Sequence, residues 1–126
     1  MRSLTRQEQS GFSLVELVMV IVIIGVLAKV AIPKFTSLTT DAQLSATKGV
    51  AGVLGAASSS NYSIRINFSS KGVSITNCTM VANAMQGGLP AGYTVASGAV
   101  ADGAAATCTI TGQGSQTATF IAQGIN

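Results

Sequence analysis

Mostly polar residues occupy positions 1–11, an unbroken run of apolar residues and glycine occupies 17–28, and Pro33 closes a segment that is mostly apolar from Phe12 to Ile32. Residues 12–28 alone number 17, about the minimum that crosses a bilayer as a helix. Beyond Pro33, Phe35, Leu38, Ala42, Ala46, Val50, Val53 and Ala57 recur at three- and four-residue steps, while Thr36, Thr40, Gln43 and Thr47 fall opposite them. That period predicts an amphipathic continuation of the helix. A single helix of roughly 45 to 50 residues would be about 70 Å long. Gly25 and Pro33 are its breakers, because proline removes a backbone donor and crowds the preceding turn, so a kink or local unwinding is expected there. Gly49, Gly52 and Gly55 each cost about 1 kcal/mol relative to alanine in a helix interior, which suggests a sheet packed closely against them.

From residue 61 onward the pattern shortens. Tyr62, Ile64, Ile66 and Phe68 alternate with Ser63, Arg65 and Asn67, a two-residue period that reads as a strand or an extended connector laid on the helix. Residues 79–86 read as a short helix capped by Asn77 and stopped by Gly87 and Gly88. Three further strands are expected around 93–97, 105–111 and 117–122, divided by Ala101-Asp102-Gly103 and Gly112-Gln113-Gly114, as an antiparallel meander. Cys108, Ala106 and Ile110 would share its inward face.

Composition sharpens this division into anchor and head. The chain has 126 residues, room for one domain, and its 48% hydrophobic content is high for a protein that never meets lipid. Arg2 and Arg6 precede the apolar run, and the positive-inside tendency places them in the cytoplasm and the C-terminal head outside it. Cys78 and Cys108 then lie where oxidation is permitted, and one disulfide is expected, the alternative being two unpaired buried thiols. Closing such a loop stabilises a fold by about 3 to 4 kcal/mol in the chain-entropy model.

Two features set the N-terminal segment apart from a cleaved secretory signal. Glu16 stands inside the apolar run, where an ionised carboxylate costs about 3 kcal/mol at mid-bilayer and less near the interface, so it needs a partner. Nor does the sequence after the run, Ala28-Lys29-Val30-Ala31-Ile32, offer the small residues that a signal peptidase wants. Gly11-Phe12-Ser13-Leu14-Val15-Glu16 with the following apolar residues to Ala28 resembles the class III signal of type IV prepilins and pseudopilins.

The resemblance implies that a prepilin peptidase cuts between Gly11 and Phe12, that the new amino group of Phe12 is methylated, and that the apolar helix is kept. Two arginines and one glutamate leave with the leader, which lowers the formal charge from +3 to +2. It further implies that Glu16 pairs with the N-terminal amine of a neighbouring subunit, a charge-assisted hydrogen bond that sets the register of a filament. By the same resemblance, the stretch around Gly25 and Pro33 is expected to be the part that extends or melts in assembled pili, the alternative being a static kink. The family often pins its C-terminal region with a bridge such as Cys78–Cys108, though here 18 residues follow the second cysteine. Pro33-Lys34-Phe35 with Asp41-Ala42 looks more like mannose-sensitive haemagglutinin-like or small type IVa pilins than like a secretion pseudopilin. Only Asp41 and Asp102 lie beyond the anchor, too few carboxylates for the calcium loop of major pseudopilins.

The fold class expected is therefore α+β, a long N-terminal helix packed on a small antiparallel sheet with one disulfide. Its segments are a leader (1–11), a membrane and filament-core helix (12–32), an amphipathic continuation (33–60) and a β-rich head (61–126). The precursor is expected in the inner membrane with its head in the periplasm, and the mature subunit in an extracellular filament. Its partners are then other copies of itself, the peptidase and the assembly machinery, and its roles adhesion, twitching, aggregation or DNA uptake.

Other classes fit less well. No histidine is present, which excludes histidine-based acid–base chemistry and histidine metal ligation, and no pair of carboxylates is brought together, so no catalytic, metal or cofactor site and no enzyme is expected. Lys29, Lys34, Lys48, Arg65 and Lys71 are scattered without interleaved aromatics, which gives DNA binding only weak support. Aromatics make up 5% of the chain with no tryptophan, against a conductive filament. Ser58-Ser59-Ser60 reads as a linker more readily than as a site for O-linked sugar. Two other readings remain: a minor pilin or pseudopilin of a secretion system, and a secreted soluble binding domain whose mature chain starts near residue 30.

Overall fold

A computed structural model describes residues 10–126, so the leader up to residue 9 lies outside the described residues. The chain divides into two compact units, Met1–Ser37 and Leu38–Asn126, taken separately below. One helix, α1, Leu14–Asn67, contributes to both.

In the first unit α1 begins at the N-cap Ser13 and contains a dense run of β-branched residues from Val18 to Ile24. Such residues lose side-chain freedom in a helix and are poor formers in water. In a bilayer the ranking matters little, because a helix satisfies every backbone donor and acceptor within the segment. Among the described residues this is the one helix long and apolar enough to cross a membrane. The local unwinding expected at Gly25 and Pro33 does not appear: α1 runs through both as one continuous helix. Proline removes the donor for the Lys29 carbonyl, but the bonds on either side carry the helix across.

In the second unit the helix side chains that are buried are Thr47, Ala51, Leu54, Ser58 and Asn61, spaced by four, three, four and three. This stripe is turned one residue from the expected one, and Phe35, Leu38 and Val53 are exposed. The sheet and the segment that follows α1 select this face through polar partners as well as area. Ser58 Oγ accepts the Gln123 N–H at 2.7 Å, and Asn61 both accepts the Val73 N–H at 2.7 Å and donates to the Val73 carbonyl at 2.8 Å. Close packing on the helix glycines is likewise not found. A Cβ on Gly49 or Gly52 would meet nothing within 4 Å, and one on Gly55 would touch only the Phe120 Cβ at 4.0 Å.

The strand expected over 62–68 is the last turns of α1, so the helix ends at Asn67 and not near residue 60. Extending an existing helix gains one hydrogen bond per residue fixed, and the apparent two-residue period has no sheet to serve, since Ile64, Ile66 and Phe68 are all exposed. The chain then turns back at Gly72, whose φ of 80° suits glycine and whose hydrogen faces Asn61 Oδ1.

The rest of the head follows the expected order. A 3-10 helix, Cys78–Ala84, is capped by Asn77, whose side chain accepts the Thr79 N–H at 3.1 Å, and Gly87 and Gly88 end the segment with positive φ. Strands β1, Thr94–Val95, β2, Ala105–Thr111, and β3, Thr117–Gln123, form an antiparallel meander in the order β1-β2-β3. Cys108 and Ile110 of β2 and Phe120 and Ala122 of β3 are buried, with Ala106 and Ala118 partly so, as strand alternation requires. These residues, with Ala51 and Leu54 of α1 and Ile75, Val81 and Val100, make the core. Ile75 and Ile125 exchange backbone hydrogen bonds at 2.7 and 3.1 Å, which ties the C-terminal segment to the residues that follow α1.

Candidate functional site

The residues that the sequence singles out for processing and assembly sit together at the start of α1. Gly11 and Phe12 precede the helix, and Phe12 is 94% exposed. Ser13 caps the helix, and its Oγ accepts the Glu16 N–H at 3.2 Å while Glu16 Oε2 accepts the Ser13 N–H at 2.8 Å. This reciprocal pair is a capping box: it satisfies two of the backbone donors that a helix start leaves free, and it places a carboxylate at the positive end of the helix dipole. Ser13-Leu14-Val15-Glu16 is a Ser-x-x-Glu signature readable in the sequence, and it gives Glu16 a partner within its own chain besides any cation.

The capping bond uses one carboxylate oxygen, Oε2, and leaves Oε1 for another donor. Around the carboxylate, Phe12, Val15, Met19 and Val20 line a shallow apolar surface, three of them one helical turn from Glu16. Every large apolar side chain between Phe12 and Ile32 is at least 45% exposed, the minimum falling at Val18. An apolar surface this continuous is far larger than soluble monomers leave uncovered, and it fits membrane anchoring of the precursor. Gly25 lies inside this surface with no neighbour within 4 Å of where its Cβ would be, and Pro33 shares its end with Lys29 and Lys34.

The disulfide is a separate element, in the head. Cys78 and Cys108 are bonded, with Cα atoms 5.7 Å apart and a separation of 30 positions in sequence. Both are buried, and the bridge joins the start of the 3-10 helix to the middle of the central strand. Gly98 packs on Cys78 Sγ, which a Cβ there would meet at 3.1 Å.

A capped, exposed apolar helix and a head with a small disulfide-bonded sheet are the features that the resemblance to type IV prepilins implies. Residues 6–28 match the prokaryotic N-terminal methylation motif, the leader of type IV prepilins, so the chain carries that motif over somewhat less than a fifth of its length. The motif implies cleavage by a prepilin peptidase. No curated protein and no solved structure matches the chain.

Proposed function

We propose that the chain is a structural pilin of a type IV pilus, with no catalytic activity of its own, polymerising through its N-terminal helix into an extracellular filament. The observation that carries this reading is the run of exposed apolar side chains from Phe12 to Ile32, with one carboxylate, Glu16, near its start and one cation, Lys29, near its end. Lipid suits the stretch from Leu17 to Ala28 but not Glu16, and Lys29 lies close enough to the end of the run to reach an interface; a bundle of identical helices suits the run once Glu16 finds a cation. Cleavage after Gly11 supplies such a cation as the methylated amine of Phe12. Glu16 Oε2 stays bonded to Ser13 of its own chain, and Oε1 accepts from the amine of a neighbouring subunit. The pair fixes the axial register of one helix on the next, and the disulfide holds the head together outside the cell. Adhesion, twitching, aggregation or DNA uptake would follow from retraction and assembly proteins acting on this fibre.

Two measurements test the proposal. Glu16→Ala should insert into the membrane as the natural chain does and yield no filaments; normal filaments from that variant would contradict the pairing. The natural chain should dominate fibres sheared from cells, and near absence from them would point instead to a minor component or a secretion piston.

A further inference from the structure

The free edge of the sheet offers a second site. The backbone bonds Gly112 N–H to Gln116 O and Gly124 N–H to Ala104 O set the hydrogen-bonding phase of the β2–β3 ladder, so the even-numbered residues of β3 bond inward to β2. Thr117, Thr119, Ile121 and Gln123 therefore turn their N–H and C=O groups outward. Ser58 Oγ takes the Gln123 N–H, and no other strand pairs with β3 among the described residues. Thr117 to Ile121 remain as an unpaired edge of about 14 to 17 Å. Edge strands are commonly guarded by charge or proline, but Thr-Ala-Thr-Phe-Ile-Ala-Gln has neither, and Ile121 is 47% exposed.

Beside this edge runs a groove of about 910 Å³ whose opposite wall is the flank of α1, including Gly52, Gly55, Ala56 and Ser59. These side chains are small enough for a further backbone to lie alongside β3. The groove also has a polarity. Thr47 sits against Gly112 at the β2–β3 turn, and Ser58 bonds Gln123, so β3 runs in the same direction as α1. Lys48 lines the end of the groove near Thr117. An added strand in the more favourable antiparallel sense would end, at its C-terminus, beside that lysine. A parallel strand would bring its N-terminal end there.

We propose that this groove binds an extended peptide segment as a fourth strand, antiparallel to β3, with a carboxylate at its C-terminal end held by Lys48. Main-chain hydrogen bonds to Thr117, Thr119 and Ile121 supply the affinity, and the small residues of α1 select small side chains on the face turned toward the helix.

The test titrates the full-length chain, isotope-labelled in detergent micelles, with an acetylated heptapeptide of alternating threonine and valine, as free acid and as C-terminal amide. Binding should shift and slow the exchange of the Thr117, Thr119 and Ile121 amides. Lys48→Gln should weaken the acid about two- to five-fold, as for an exposed ion pair, and leave the amide unaffected. Thr119→Pro removes an outward donor that the β2 ladder does not use and should abolish binding of both peptides. Gly52→Leu, at a helix position with open space around it, should fill the groove and do the same. No amide shift at millimolar peptide, or undiminished binding to Gly52→Leu, overturns the site. Equal affinity for acid and amide overturns the carboxylate assignment.

Discussion

Glu16 is hydrogen-bonded to Ser13 within its own first turn and flanked by apolar side chains, so it serves as a helix cap and carries the charge proposed for assembly. The two roles separate in one substitution. Glu16→Gln keeps an oxygen acceptor for the Ser13 N–H and removes the charge, so membrane insertion should persist while filaments, counted by electron microscopy, disappear. Filaments at the natural abundance would mean that capping alone is needed. Ser58 is a second residue with a defined duty, because its buried hydroxyl closes the outward N–H of the half-buried Gln123. Ser58→Ala should cost about 1–3 kcal/mol, the penalty of an unsatisfied buried donor, and should speed hydrogen exchange at the Gln123 amide. At Gly124 a Cβ would run into the Ala101 carbonyl, and Gly124→Ala should lower the thermal midpoint by an overpacking cost of about 1–3 kcal/mol.

The elements show where sequence patterns speak plainly and where they do not. Turn residues separated the strands at 105–111 and 117–123 correctly, since Gly103 and Gly114 adopt positive φ that glycine alone tolerates cheaply, and Asn77 was readable as a cap because its side chain competes for backbone donors. The helix face was misread by one position. Apolarity pointed to Ala46, Val50 and Val53, of which only Val50 packs against the core, whereas the head buries Thr47, Ala51, Leu54, Ser58 and Asn61, a choice that hydrogen-bond partners 12 to 65 residues away in sequence help to govern. Alternation over 62–68 misled for a related reason, as seven residues cannot distinguish a strand from the end of a long helix without tertiary partners. The disulfide was legible from compartment and count. Its contribution should emerge as a loss of about 3–4 kcal/mol in denaturant unfolding when Cys78 and Cys108 are both replaced by serine.

For the molecule as a whole, the chemistry proposed for assembly is concentrated in the first unit, and the fold of the second is specified independently by its core and its bridge. The anchor was readable at once because a bilayer imposes a length and a composition. The capping box was written just as plainly, in four residues, yet its geometry is evident only once the helix start is located at Ser13. The peptide groove could not be read in advance, since it depends on which edge of the sheet stays unpaired and on which flank of α1 lies beside it. The most direct test of the central claim is the intact mass and N-terminal sequence of the protein isolated from cells. A chain that begins at N-methylated Phe12, with two hydrogens gained on reduction of Cys78–Cys108, is the result predicted. A chain that begins near residue 30 would contradict it, because the assembly helix would then have been discarded.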